Sequence, residues 1–428
     1  MSQMPDRDDP RTSLEQAGIG RLDPAQRSFL QQQSERYRFT YQELRQLCDM
    51  AVDLSMWGEG SLESAWPAEG VPAAAPKQQR QWLLAQVRQH WQALREQPNH
   101  YPRIPLTPPR AEQRIQRIDV VKDRLGLGTC PVASPRTRCC NLMTLDAVEN
   151  CGFDCSYCSI QSFYHGDEVR FDAKFAEKLE QLELDPHRIY HIGTGQSSDS
   201  LMWGNQGGIL DALFGFARRY PNVILELKTK SKNIAYLLKH EVPANILCTW
   251  SLNTPTLIAH EEHLTASLDE RLEAARRLAD RGVRVGFHLH PMIHYDAWEA
   301  DYADLLHRMT SGFSSREVVL VSLGTLTYIK PVIRQLRGRA GFRSKILQMP
   351  LVESDGKLSY PRHIKESMFR FAYQGLKAWH DDVFFYLCME NHDLWQSVFG
   401  FEYDSNQALE SAMKNAYMAK IETQGAGQ

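Results

Sequence analysis

The chain has no run of 18 or more apolar residues, so nothing in it reads as a membrane-spanning helix. Its first residues, MSQMPDRDDPRTSLEQ, are polar and lack the apolar core of a secretory signal. Nine cysteines in 428 residues are too sparse, and odd in number, for a disulfide framework. These absences lead us to expect a protein of the reducing cytoplasm, where clustered thiols bind metals or do chemistry rather than cross-link. A formal net charge of −3 exerts no global pull on polyanions, so a nucleic acid would have to be met by a local patch. No internal repeat at solenoid periods and no long low-complexity tract appears.

What is present is ordinary globular material. Hydrophobic residues make up 43% and charged residues 24%, enough for one large α/β domain and a smaller appendage. Residues 1–64 read as an N-terminal helical extension, in which FTYQELRQLCDMAVDLSMW repeats Leu44, Leu47, Met50, Ala51 and Leu54 at helical spacing. The Pro/Ala/Gly stretch at 65–77 reads as a linker. Residues 78–125 read as a helical and connecting segment, opening with an amphipathic helix that Pro98 stops.

Over 126–402 the texture changes to short apolar runs alternating with helical periods. Candidate strands are 142–148, 188–194, 222–228, 246–252, 283–289 and 317–323, with candidate helices near 172–183, 207–219, 231–239, 268–281 and 297–310. The fourth helix is the best marked, with Ser267 and Glu270 in a capping-box pattern and Gly282 at its end. The alternation predicts parallel βαβ units closing into a partial (β/α)6 TIM-like barrel, with its site at the C-terminal strand ends. The polar stretch 403–428 reads as a frayed tail.

The strongest chemical signal is ENCGFDCSYCSIQSF, directly after the first candidate barrel strand. Cys151, Cys155 and Cys158 at C-x3-C-x2-C spacing can wrap one cuboidal 4Fe-4S cluster, and three ligands on four irons leave one iron open to chemistry. The alternative is a structural zinc site with Cys139 or Cys140 as fourth ligand, although zinc sites more often use C-x2-C pairs.

This triplet, with Tyr157 before its last cysteine, resembles the radical S-adenosylmethionine superfamily. HIGTGQSSDSL, LKTKSKN, TWSLNTP, EEHLTASLDERLEAARRL, GFHLHPMIHYDAWEADY, VSLGTLT, ESDGKLSY and FYLCMENHDLWQSVFG follow in the order of the spore photoproduct lyase family, over about residues 115–402. The resemblance implies an enzyme that cleaves S-adenosylmethionine to a 5′-deoxyadenosyl radical, takes electrons from a ferredoxin or flavodoxin, and acts on nucleic acid. It further implies that Tyr157, Lys230, Ser251 and Asn253 help place the cofactor. From the residues alone, Lys230 reads equally as a solvated lysine beside Lys228 and Lys232. His288 and His290 share one face of their strand, either lining the pocket or sitting satisfied in the core.

Three positions depart from the family's substrate end. Gln196 stands where the resemblance implies a hydrogen-donating cysteine, Ser159 where it implies a tyrosine, and Ser359 where it implies a basic residue. Cys388 reads as a buried core thiol, which near the pocket would stand in for the missing donor. The acid-free run carrying Lys330, Arg334, Arg337, Arg339, Arg343 and Lys345, with Tyr360 shortly after, reads either as a phosphate-binding substrate surface or as a solvated helix face. Two other functions stay open: a radical enzyme on a small-molecule or protein substrate, and a zinc-stabilised nucleic-acid-binding protein without redox chemistry.

Overall fold

A computed structural model describes residues 15–102, 115–130, 136–164, 168–354 and 356–425. It divides into two units: one of residues 1–108 and 328–352, the other of 109–327 and 353–428. The barrel segment expected at 126–402 is therefore interrupted, because 328–352 folds with the N-terminal helices instead.

The larger unit is organised by an eight-stranded sheet whose strands lie side by side in chain order: β1 (Leu127–Thr129), β2 (Met143–Leu145), β3 (Tyr190–Thr194), β4 (Val223–Thr229), β5 (Ile246–Ser251), β6 (Arg284–Met292), β7 (Val318–Thr325) and β8 (Phe384–Leu387). From β2 to β8 every neighbouring pair is parallel, and β1 adds to β2 antiparallel. Such sequential order follows from right-handed βαβ crossovers and curls the sheet into a partial barrel. The six expected strands are present as β2 to β7. The sequence reading missed β1, which has only three residues, and β8, which lies inside an aromatic run without alternation.

Strands covered on both faces need continuous apolar sequence, and β5 and β7 are buried at every position. Between strands, amphipathic helices dock their apolar stripes on the sheet. In the helix Leu268–Ala279 the capping box is formed: the Ser267 hydroxyl accepts from the Glu270 N–H, and the Glu270 carboxylate accepts from the Ser267 N–H. The expected C-terminal tail is instead a helix, Asn406–Gly425, packed on β4, β7 and β8. Leu409, Met413 and Tyr417 are fully buried, and with Ile421 they recur every fourth residue. That stripe is what docks the segment, although polar residues dominate its composition.

The smaller unit packs the helices Pro24–Tyr37, Tyr41–Trp57, Pro76–Glu96 and Lys330–Gly338 around Leu30, Leu44, Leu47, Ala51, Leu83 and Val87. Asp53, fully buried, accepts from Arg337 Nε and Nη2 at 2.8 and 2.7 Å and from the Trp91 indole at 3.0 Å. Lys345 pairs with Glu59, and Arg343 donates to the Ser55 hydroxyl at 3.0 Å. Arg339 lies over the Phe342 ring. Three residues of the basic run, Arg337, Arg343 and Lys345, are thus engaged as an internal anchor. Its acids stand some 280 residues away in sequence, so no local count could reveal them. Lys330 and Arg334 are exposed on the Lys330–Gly338 helix.

Removing one partner of a buried charge pair leaves the other uncompensated. Arg337→Ala is expected to lower the unfolding free energy of this unit by about 3 kcal/mol. Urea unfolding followed by tryptophan fluorescence measures it, and an unchanged midpoint would contradict the anchoring role.

Candidate functional site

A cavity of about 270 Å³ opens at the C-terminal ends of the strands. Cys151, Cys155 and Cys158 line it together, with Tyr157, Lys230 and Ser251. All nine cysteines are free, and burial pushes each of these three thiols above its ordinary value.

The loop holding them is shaped locally and then pinned from outside. Asn150 takes a left-handed conformation (φ 72°), its side chain donating to Glu168 O and accepting from the Cys151 N–H, each at 2.8 Å. Asp154 and Cys155 pair antiparallel with His263 and Glu262. The Ser156 N–H donates to Glu261 O at 2.9 Å, and the Ser156 and Tyr157 hydroxyls donate to the Glu261 and Glu262 carboxylates. Gln161 closes the turn by donating to the Ser156 and Cys158 carbonyls.

Behind Glu262 lies Arg271, with no exposed surface. It donates to the Glu262 carboxylate, to Ser251 O at 2.8 Å, to Ala266 O at 2.9 Å and to Thr265 Oγ1 at 2.7 Å. One guanidinium therefore joins the end of β5, the capped helix and the thiol loop. Burial alone would raise the Glu262 carboxyl, but Arg271, Lys230 and Tyr157 outweigh it and hold it below the usual range. The sequence reading missed Arg271, although a signal existed: it lies between Leu268 and Ala275 on the apolar stripe.

The inward positions of the strands form two layers. In the lower one, His288 bonds Ser322 Oγ at 2.6 Å through Nδ1 and Glu226 at 2.7 Å through Nε2. Glu226 also accepts from Thr249 at 2.8 Å and bonds His191 at 2.9 Å. Burial, with Lys228 nearby, pushes His288 down to about 4. His288 therefore both lines the cavity and is satisfied in the core. One step up each strand come Gly193, Lys228, Ser251, His290, Gly324 and Cys388.

Of the residues expected to place a cofactor, Tyr157, Lys230 and Ser251 meet at the cavity, with the Lys230 amine 5.6 Å from the Tyr157 ring centroid. Asn253 does not join them. It is buried and satisfied by Pro291 O, the Thr254 N–H and the Tyr302 hydroxyl. Tyr360 is also buried, accepting from the His294 N–H at 3.0 Å, so it is not a substrate-facing group. Gln196 and Ser159 line the cavity, whereas buried Ser359 donates to Leu326 O at 2.7 Å. Cys388, expected in the core, lines the cavity with Cys130 and Cys140.

Replacing Arg271 with Met strands the Glu262 charge, and we expect a loss of about 3–5 kcal/mol. Since the folded Glu262 carboxyl lies below its ordinary 4.5, its contribution is present above that pH and lost on further acidification. Wild type should lose this increment in acid, whereas Arg271→Met should already lack it near neutrality. Parallel pH–stability curves for the two proteins would count against the link.

Residues 149–336 match the family model for spore photoproduct lyase. The spore photoproduct lyase of Clostridium acetobutylicum is 25% identical over 181 residues, covering 41% of this chain and 53% of that protein. That of Geobacillus sp. is 26% identical over 183 residues, covering 42% and 52%. The chain thus spans about half the length of the curated relatives it matches. Among solved structures, a spore photoproduct lyase variant with bound AdoMet and dinucleoside spore photoproduct has a TM-score of 0.51 at 18% identity, covering 64% of this chain and 82% of that one, a likeness of fold. The matched segment, with the cysteine loop it contains, is thus similar to the spore photoproduct lyase family over residues 149–336.

Proposed function

We propose that the protein is a radical S-adenosylmethionine lyase acting on nucleic acid, on a DNA lesion or a modified nucleotide. The observation that carries this reading is the convergence of Cys151, Cys155 and Cys158 on one cavity with Lys230 and Ser251. The donor set fits a 4Fe-4S cluster: three free thiols on one pinned loop, with no fourth cysteine on that loop to close the site.

When bound, the cluster and S-adenosylmethionine supply a 5′-deoxyadenosyl radical, with the electron coming from a ferredoxin- or flavodoxin-type donor. The protein's own residues position and shield. Lys230 offers a cation and Ser251 a hydroxyl for the cofactor's carboxylate end. Tyr157 is held against that site by Glu262, and Glu262 by Arg271. The relative bound to a dinucleoside photoproduct supports the nucleic-acid substrate class. A buried cavity requires such a substrate to leave its base stack.

The chemistry at the substrate differs from the family's pattern, because the side chain at Gln196 is an amide and amides do not readily give up a hydrogen atom. Cys388 takes that role in our reading, its S–H bond breaking as the substrate radical gains hydrogen and the sulfur is left as a thiyl. Cys388→Ala should then change the product distribution, and identical products from both proteins would remove Cys388 from the mechanism.

Anaerobic reconstitution with iron and sulfide, then reduction with S-adenosylmethionine present, tests the main reading. Wild type is expected to release 5′-deoxyadenosine and Cys155→Ala none. A colourless zinc protein that makes none would instead indicate a metal-stabilised binding module. With radical chemistry established, absence of salt-sensitive binding to irradiated DNA would redirect the search to small-molecule or protein substrates.

A further inference from the structure

The two inward layers of the barrel differ in how far their polar groups are engaged. In the lower layer Glu226, Thr249, His288 and Ser322 bond one another, and His191 bonds Glu226 through Nε2. In the upper layer, Lys228 and His290 both line the cavity, and neither makes a hydrogen bond or ion pair within the protein among the described residues. Both are half-buried, and two donors left without protein partners on one cavity wall mark a place where a ligand can supply the acceptors.

Their placement is built. Lys228 stands two residues after Glu226 on β4, and His290 two after His288 on β6, so each rises from a residue locked in the lower layer. Gly324 on β7 leaves the space His290 occupies. A Cβ there would lie 2.7 Å from the His290 ring and 3.0 Å from Cys388 O. Lys230, which lies over the Tyr157 ring beside the cysteine loop, adds like charge close to both. Lys228 has Glu226 as its acidic neighbour, and Glu226 is already spent on His191, His288 and Thr249. Burial lowers the basicity of both Lys228 and His290, so an arriving anion provides the countercharge that the fold withholds.

We propose that Lys228 and His290 form an oxyanion subsite that holds the phosphodiester of the nucleic-acid substrate inside the barrel. The inference rests on the nucleic-acid reading above. It also supplies what the 330–345 segment does not, since Arg337, Arg343 and Lys345 are engaged within their own unit. An ammonium and an imidazole N–H from different strands suit a group with several oxygens, and the charge on Lys228 makes the contact a strong one.

The test compares two probes on cluster-reconstituted, unreduced protein with S-adenosylmethionine: thymidylyl-(3′→5′)-thymidine, and the same dinucleoside with a neutral formacetal bridge in place of the phosphate. Wild type is expected to bind the phosphodiester about tenfold more tightly than the neutral analogue. That preference should fall toward unity in Lys228→Met and in His290→Leu, and persist in Lys228→Arg. Iron content measured on each variant keeps loss of the cluster from passing as loss of the subsite. An undiminished preference in Lys228→Met, or none in wild type, overturns the subsite. Release of 5′-deoxyadenosine from reduced wild type, measured separately, shows whether the radical reading fails with it.

Discussion

Glu262 carries a carboxylate into the buried interior, and the geometry of the thiol loop depends on how that charge is met. Arg271 meets it from the side of the capped helix, and the Tyr157 hydroxyl meets it from the loop. The guanidinium spends its other donors on backbone carbonyls at Ser251 and Ala266, so it is satisfied while wholly buried. A buried ion pair is weak evidence for net stability, but breaking one is costly. Its use here is positional: it fixes the distance between the end of β5, where Ser251 sits, and the loop that presents Cys155 and Cys158.

The barrel interior repeats this logic one layer at a time. Parallel strands place alternate residues on the same face, so each strand contributes one side chain to a lower layer and one to an upper layer. The lower layer gathers its polarity around Glu226, which two histidines and the Thr249 hydroxyl bond. The upper layer keeps polar groups facing a cavity that the thiols also line. A closed floor beneath an open rim confines chemistry to one end of the barrel, which is where short βα loops can carry reactive groups on a rigid scaffold.

Both units also use charge over long sequence distances, to different ends. Asp53 and Arg337 are 284 residues apart, yet their pairing decides that the basic run belongs to a helical packing core. Seen as sequence, six basic residues without an acid are as good a phosphate surface as any. Only the fold reveals that the neutralising carboxylates arrive from the Tyr41–Trp57 helix and the turn after it.

By itself the sequence determined the barrel strands β2 to β7, the capped helix and the close-set cysteine triplet, because each depends on short-range pattern: continuous apolar runs, a Ser/Glu pair three apart, and thiols within eight residues of one another. It also carried the stripe of Leu409, Met413, Tyr417 and Ile421, which polar composition obscured. Tertiary structure alone decided which polar groups would be spent. Asn253 and Tyr360 turned inward to satisfy backbone groups, Cys388 reached the cavity, and Arg271 proved to be the brace of the loop. The physical reason is that a hydrogen-bonding group has no fixed role until its partners are known, and those partners come from strands and helices far away in the chain.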